Sequence, residues 1–423
     1  MSASSCVQCC FSPLLMTLSA AQLLVLLSVV WPSYVTTYCR KPRGFETKLV
    51  PDSMWAPTER LIENLGYDAA VHTIPTPDGY LLTVHRISGA KQKSPRDRPP
   101  HNTPVLVSAG LASNSEMWVL REPNLATSLV NAGFDVWLTN FRGNSYGLRH
   151  ETLHPKRHEF WDFSWHENGL IDQASTIDYV LETTGRNKLI TIGHSMGSTA
   201  QVVLLSEKPS YAEKVLCSVF LAPPIYFSKP PVLPTALRNL FYLLPQLKES
   251  TGRNVVNDKM PFMDQCMAAY CFQTANEKFN NLCRAGISAM LGKPQKRISD
   301  VNALKLLAHF PGGGSIRQVL HYGQSIASGG FQKYDFGSVK NLKLYGSPHP
   351  PSYNLSAITT PIYVYYGTSD GLVSSEDVRK FTKQCPAVKE VHALPYNHLD
   401  YALADDINEA YIKPVIGTLM KYI

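Results

Sequence analysis

The sequence predicts an α/β fold with a mostly parallel central sheet, flanked by helices and carrying a helical cap inserted late in the chain. Three observations carry this. Apolar segments of strand length alternate with helical patterns from residue 67 to 221, as they do where crossover helices join parallel strands. The segment Gly193-His194-Ser195-Met196-Gly197 follows the apolar run 189–192 and opens a helix-compatible stretch reaching about 206. A strand therefore turns abruptly into a helix at a serine. From about 223 to 329 the strand rhythm stops, and helical pieces such as 237–247 and 301–309 replace it, broken into short units by Pro230, Pro231, Pro234 and Pro245.

Taken in order, the turn Pro77-Asp78-Gly79 introduces a strand at 80–86, and residues 91–104, rich in Pro, Lys and Arg, read as an exposed loop. The strand 105–108 ends in Ala109-Gly110-Leu111, and 134–138 is a second buried strand. Leu170, Ile171, Ala174, Ile177, Val180 and Leu181 recur at helical spacing, so that segment packs on the sheet. Strands are expected at 215–221, at 361–366 and, as a short last strand, at 390–394. The resulting division is a first part of the core at 45–222, a cap or lid at 223–329 and a second part of the core at 330–423. The cap's apolar residues, including Leu240, Phe241, Leu243 and Leu244, line an apolar pocket, meet lipid or pack on the sheet.

A serine on a strand-to-helix turn is chemically suggestive. The turn lifts the hydroxyl clear of the sheet, glycines two residues either side remove side chains that would collide, and the helix start presents free N–H groups to developing negative charge. Such a nucleophile needs a base and an orienting acid, which in this arrangement follow in the order Ser, Asp, His. Asp370 sits in Gly367-Thr368-Ser369-Asp370-Gly371, directly after the strand 361–366, and is the expected acid. His398 sits in Pro395-Tyr396-Asn397-His398-Leu399-Asp400, after the last strand, and is the expected base. The backbone N–H groups of Met196 and Leu111 are the expected oxyanion donors. Three neighbours are set aside: His194 is expected to pack or bond locally, Asp400 is too close to His398 in sequence, and Asp377 reads as a helix-start residue.

Several segments give the chain a resemblance to the acid lipase family, the gastric and lysosomal group, in a form similar to its insect members. They include Gly66-Tyr67, Asp78-Gly79-Tyr80-Leu81-Leu82, Asn140-Phe141-Arg142-Gly143-Asn144, Phe160-Trp161-Asp162-Phe163-Ser164, Ala222-Pro223, His309-Phe310-Pro311-Gly312-Gly313, Gly330-Phe331-Gln332-Lys333-Tyr334-Asp335 and Asn397-His398-Leu399-Asp400. The resemblance runs from about residue 49 to 423. It implies an α/β-hydrolase fold, a triad of Ser195, Asp370 and His398, no metal or organic cofactor, and hydrolysis of triacylglycerols or sterol esters at a lipid–water interface. Two departures bear on the chemistry: the family usually has His-Gly-Leu where this chain has Ala109-Gly110-Leu111, and Gln where it has Met196. The family's usual cap disulfide also loses its second partner here, near Leu291. An esterase or thioesterase of other substrate class, and a lipid-binding protein without turnover, stay open as alternatives.

Composition bounds rather than selects. At 423 residues, 44% hydrophobic and 17% charged, the chain can bury a large core. Its net charge of +7 is spread along the sequence, which gives no nucleic-acid footprint. Residues 14–31 are uncharged and mostly apolar, so 1–37 is expected to be a secretory signal, with a retained membrane anchor as the alternative. That implies a secreted or lysosomal protein. Cleavage would remove Cys6, Cys9 and Cys10 of the nine cysteines; a pairing among Cys266, Cys271 and Cys283 is open, with others as buried thiols. Asn354-Leu355-Ser356 is the one glycosylation sequon. His150, His154 and His158 recur every four residues, but Pro155 interrupts any helix that would align them as metal ligands. Gly312-Gly313-Gly314-Ser315 lacks the Lys of a phosphate loop. Trp161, Phe163 and Trp165 alternate like a face of an extended segment and read as core.

Overall fold

The computed structural model of the protein describes residues 56–90, 101–228, 302, 305 and 309–423. The expected signal, the cap helix at 237–247 and the cysteines at 266, 271 and 283 lie outside the described residues. Of the expected helix 301–309, Asn302, Lys305 and His309 are described and helical.

The sheet begins with a hairpin. Strands β1 (Tyr67–Pro75) and β2 (Tyr80–Ala90) pair antiparallel around Pro77-Asp78-Gly79, where Gly79 takes φ 90°, a left-handed value that glycine adopts without steric cost. The remaining strands are β3 (Pro104–Ser108), β4 (Asp135–Thr139), the two-residue β5 (Arg149–His150), β6 (Leu189–His194), β7 (Val215–Leu221), β8 (Ile362–Gly367) and β9 (Val388–Leu394). Their order is β1-β2-β4-β3-β6-β7-β8-β9, with β5 paired to β2, and every pair from β4 to β9 is parallel. The expected strands are all present, with ends shifted by a few residues.

Burial follows from position. Every residue of β3, β4 and β6 is buried, because helices cover both faces, and these strands read as continuous runs rather than alternations. At the sheet's edge β9 alternates half-buried with exposed residues. The helical pattern around 170–181 forms one rod with a defect. Trp165–Glu167, capped by Ser164 and Glu167, runs through a π-helical stretch, Asn168–Gln173, into Ala174–Thr184. That wider turn carries buried Asn168, Asp172 and Gln173. Asp172 accepts from the Arg142 Nε at 2.7 Å and its backbone N–H at 3.0 Å, while the guanidinium forks onto Asp78 and lies 4.0 Å from the Tyr80 ring. Arg142 is thus a fully buried cation between two carboxylates, tying the β1–β2 turn and this helix to the loop after β4. Trp161, Phe163 and Trp165 are core, as expected. They do not share an extended face, since Trp161 ends a 3₁₀ turn, His158–Trp161, and Trp165 starts the helix.

Between the neighbouring strands β7 and β8 the chain leaves the sheet at residue 222 and returns at 361. On that return lie the helices Ile316–Ser328 and Ser338–Tyr345. Among the described residues no helix is long and apolar enough to cross a membrane.

Candidate active site

Ser195 stands between the last residue of β6 and the first of the helix Met196–Glu207, with φ 52° and ψ −122°. A serine at a helix start ordinarily caps it; here the side chain makes no cap, because the positive φ turns the hydroxyl away from the helix. The turn is forced by close approach. A Cβ on Gly193 would lie 2.6 Å from the carbonyl carbon of Gly197 and from the Ser198 N, and one on Gly197 would lie 2.6 Å from the Ser108 carbonyl oxygen. Ser195 N donates to the Leu221 carbonyl at 2.9 Å, which pins the elbow to β7.

The freed hydroxyl has a partner. Ser195 Oγ lies 2.8 Å from His398 Nε2, and His398 Nδ1 lies 2.9 Å from Asp370 Oδ2. The carboxylate fixes the tautomer: Nδ1 carries the proton and donates it to Asp370, leaving Nε2 to accept from the serine. Asp370 and His398 arrive from loops that are stitched together. Thr368 N donates to the Leu394 carbonyl at 2.7 Å and Ser369 N to the Tyr396 carbonyl at 3.0 Å, and Gly367 leaves room for that same Tyr396 carbonyl. The Asp370 side chain is fully buried, and its second oxygen accepts from Leu372 N at 2.7 Å and Val373 N at 3.1 Å. Asp400 instead builds the histidine loop, accepting from Asn397 N at 2.7 Å while the Asn397 side chain accepts from the N–H groups of Leu399 and Asp400. Asp377 is a helix-start residue: its N–H reaches Ser374 and its carboxylate accepts from Ser228 N.

The loop after β3 comes up beside the serine. A Cβ on Gly110 would stand 2.9 Å from the Ser195 Cβ and 3.3 Å from its Oγ, so the backbone at Gly110-Leu111 borders the space above the hydroxyl. Met196 opens the helix on the other side. A hydroxyl hydrogen-bonded to an oriented imidazole and flanked by two main-chain segments suits nucleophilic attack on an acyl carbon.

The comparisons agree with that chemistry. The family described as the alpha/beta hydrolase fold matches residues 103–405, and that described as a partial alpha/beta-hydrolase lipase region matches 58–122. The chain is 36% identical to Lipase 1 of Drosophila melanogaster over 86% of this chain and 79% of that one. The chain belongs to the α/β-hydrolase family. Gastric triacylglycerol lipases of Bos taurus and Homo sapiens are each 32% identical to it, over 85% of this chain and 90% of theirs. Membership in the acid lipase group, expected from the motifs, holds.

Against the family pattern, Ala109 is accommodated rather than missing something. It packs with Met117, Leu120, Leu399, Ala402 and Leu403 in a small apolar cluster between the loop after β3 and the histidine loop. Met196 is buried in the main core. Asn354 is exposed, with Ser356 Oγ donating to its Oδ1 at 2.7 Å. The histidines spaced by four do not converge: His150 bonds to the Asp78 carbonyl and the N–H groups of Thr152 and Leu153, and His154 to Lys156 N. Among the described cysteines, Cys217 and Cys385 are buried free thiols.

His194 packs, as expected, against Trp118 and Tyr401, but its hydrogen bond is not local: its Nε2 donates 2.7 Å to the carbonyl of His398, from across the sequence. A strand-end residue points out of the sheet top, toward whatever loop folds over it, and sequence adjacency to Ser195 says nothing about that loop. Burial lowers the His194 pKa to about 3, aided by the positive charge His398 can acquire and opposed by the carbonyl bond. Burial likewise lowers His321 to about 3, where it stacks 3.6 Å over Trp165 and bonds to Ser164 and the Gln332 carbonyl.

These two rings contribute to an acid limb of stability. In the unfolded chain an imidazole takes its proton near pH 6.5, and in the folded molecule these two refuse it until about 3. Their contribution is therefore complete above about pH 6.5 and is lost as pH falls toward 3, at roughly 1.4 kcal/mol per pH unit for each ring. Denaturant midpoints between pH 7 and pH 4 should fall with acid, and His321→Gln should flatten the slope. An unchanged slope in that variant would remove His321 from the account.

Proposed function

We propose that this chain is a lipase, a carboxylic ester hydrolase of neutral lipids working through an acyl-enzyme. Ser195 Oγ attacks the ester carbonyl while His398 Nε2 takes its proton, and Asp370 holds the ring in the productive tautomer and stabilises the imidazolium. The N–H groups of Met196 and Leu111 receive the oxyanion of the tetrahedral intermediate. His398 then protonates the leaving alcohol, and water, deprotonated by the same imidazole, releases the acid. The observation that carries this reading is the unbroken chain of contacts from Ser195 through His398 to Asp370, each under 3 Å. These steps are complete with side chains and main chain alone.

The lipid class comes from the relatives: triacylglycerols by analogy with the gastric lipases, with sterol esters as the related substrate. We likewise propose that 223–329 is a cap inserted between β7 and β8, and that the protein is secreted or lysosomal. The exposed sequon at Asn354 supports a secretory route. The test is a substrate series on the purified protein: emulsified triolein, cholesteryl oleate, a soluble butyrate ester and an acyl thioester. A lipase turns over triolein above its solubility limit at a rate at least comparable with the soluble ester. Turnover confined to the short ester or the thioester would overturn the lipid assignment and leave the hydrolase.

A further inference from the structure

The loop after β3 is held by a segment that the triad does not use. Beyond Leu111 the chain passes through Ala112, at φ 53°, and Asn114 caps the 3₁₀ turn Ser115–Trp118 by accepting from Glu116 N at 2.9 Å. Against this turn lies a stretch of the chain's excursion between β7 and β8, residues 309–312. Gly312 N donates to the Ala112 carbonyl at 2.6 Å, and the Gly312 carbonyl accepts from Ser145 N at 2.7 Å. Three residues earlier, His309 Nδ1 lies 2.8 Å from Glu116 Oε2, with both side chains about 95% buried. The same carboxylate accepts from the Tyr146 hydroxyl at 2.7 Å and from Asn114 Nδ2 at 3.1 Å. The fit at Gly312 is close, since a Cβ there would stand 3.0 Å from Asn114 Nδ2.

We propose that His309 and Glu116 are positioning residues for the oxyanion site: their buried pair, with the Gly312–Ala112 bond, clamps the loop that presents Leu111 N–H to the reaction. This rests on the reading of Ser195 given above. The physical reason is that a main-chain donor acts only if its distance to the developing oxyanion is fixed beforehand, and a loop with a positive φ at Ala112 does not hold itself. Without His309 the Glu116 carboxylate keeps Tyr146 and Asn114 but loses its tie to the 309–312 segment, so breaking the pair frees the loop from that segment rather than leaving a bare charge. The clamp also links the oxyanion site to the inserted segment, so that displacement of 309–312 would reach Leu111.

The prediction separates positioning from general damage. With a soluble butyrate ester, His309→Leu should lower kcat about 10- to 100-fold, less than the 10²- to 10³-fold of losing a donor outright, with KM within about twofold. His309→Gln, whose amide can still donate to Glu116, should recover most of the loss. Octylboronic acid forms a tetrahedral adduct that needs the oxyanion donors, so its affinity should fall with kcat, whereas octanol, which shares only the chain, should bind as before. Should His309→Leu fail to fold, the double variant Glu116→Gln with His309→Leu removes the buried charge, keeps an amide oxygen to accept from Tyr146 or Asn114, and carries the same expectation. Unchanged kcat and boronate affinity in a folded variant would overturn the proposal, as would equal losses in boronate and octanol binding. A wild type that binds no boronate would instead overturn the underlying reading of Ser195, and this proposal with it.

Discussion

Replacing Ser195 by alanine should lower kcat by about 10⁶-fold, to the level left by binding and oxyanion contacts alone. The loss is this large because the three side chains act as one unit: without the hydroxyl, the imidazole at 2.8 Å has nothing to deprotonate, and Asp370 orients a base with no task. The fold should tolerate the change. The hydroxyl makes no helix cap, its contact is with His398, and the elbow is held by main-chain bonds that alanine keeps, from residue 195 to Leu221 and from Ser198 and Thr199 back to the carbonyl of 195. Alanine at φ 52° carries about the same backbone cost as serine, so the melting temperature should stay within a few degrees. The measurement is initial rate on the soluble ester, with wild type and variant matched by protein concentration. Turnover within tenfold of wild type would dismiss Ser195 as the nucleophile.

What the sequence made legible was whatever local chemistry enforces. The elbow announces itself because only glycine fits at 193 and 197, and the parallel strands announce themselves because burial on both faces demands unbroken apolar runs. Asp370 and His398 were readable from chain order, since each had to follow a strand end on the same side of the sheet. The partners of those residues were not. That His194 would reach the His398 carbonyl, or that His309 would meet Glu116, depends on loops folding over one another, and no periodicity records such a pairing. The glycine run at 312–314 reads as a failed phosphate loop because its spacing invites that comparison. Its use as a backbone contact for the β3 loop became visible only once Ala112 was beside it. The π-helical stretch is hidden for a related reason: one extra residue in a turn leaves the apolar pattern on either side intact. The proposed oxyanion donors at 111 and 196 are main-chain groups, so on that reading the departures at Ala109 and Met196 do not by themselves signal lost function.

Asp370→Asn should lower kcat by about 10⁴-fold with KM nearly unchanged, a loss of roughly 5 kcal/mol in transition-state stabilisation. The size comes from the tautomer rather than from the charge alone. Asp370 uses one oxygen to accept from Leu372 N and Val373 N and the other to accept from His398 Nδ1. In asparagine the carbonyl oxygen is held by those two backbone donors, which leaves the amide NH₂ facing the ring. Nδ1 must then present a lone pair, the proton moves to Nε2, and Nε2 meets the serine as a donor instead of an acceptor. The base is in place but already occupied. Asparagine has the same shape, and the Asp370 side chain is fully buried, so substrate binding and loop geometry should persist. The contrasting substitution is Asp400→Asn, which touches the backbone of the histidine loop rather than the imidazole and so carries no tautomer penalty. A kcat within tenfold of wild type for Asp370→Asn, or a larger loss for Asp400→Asn than for Asp370→Asn, would show that the ring is oriented by the loop and not by the carboxylate behind it.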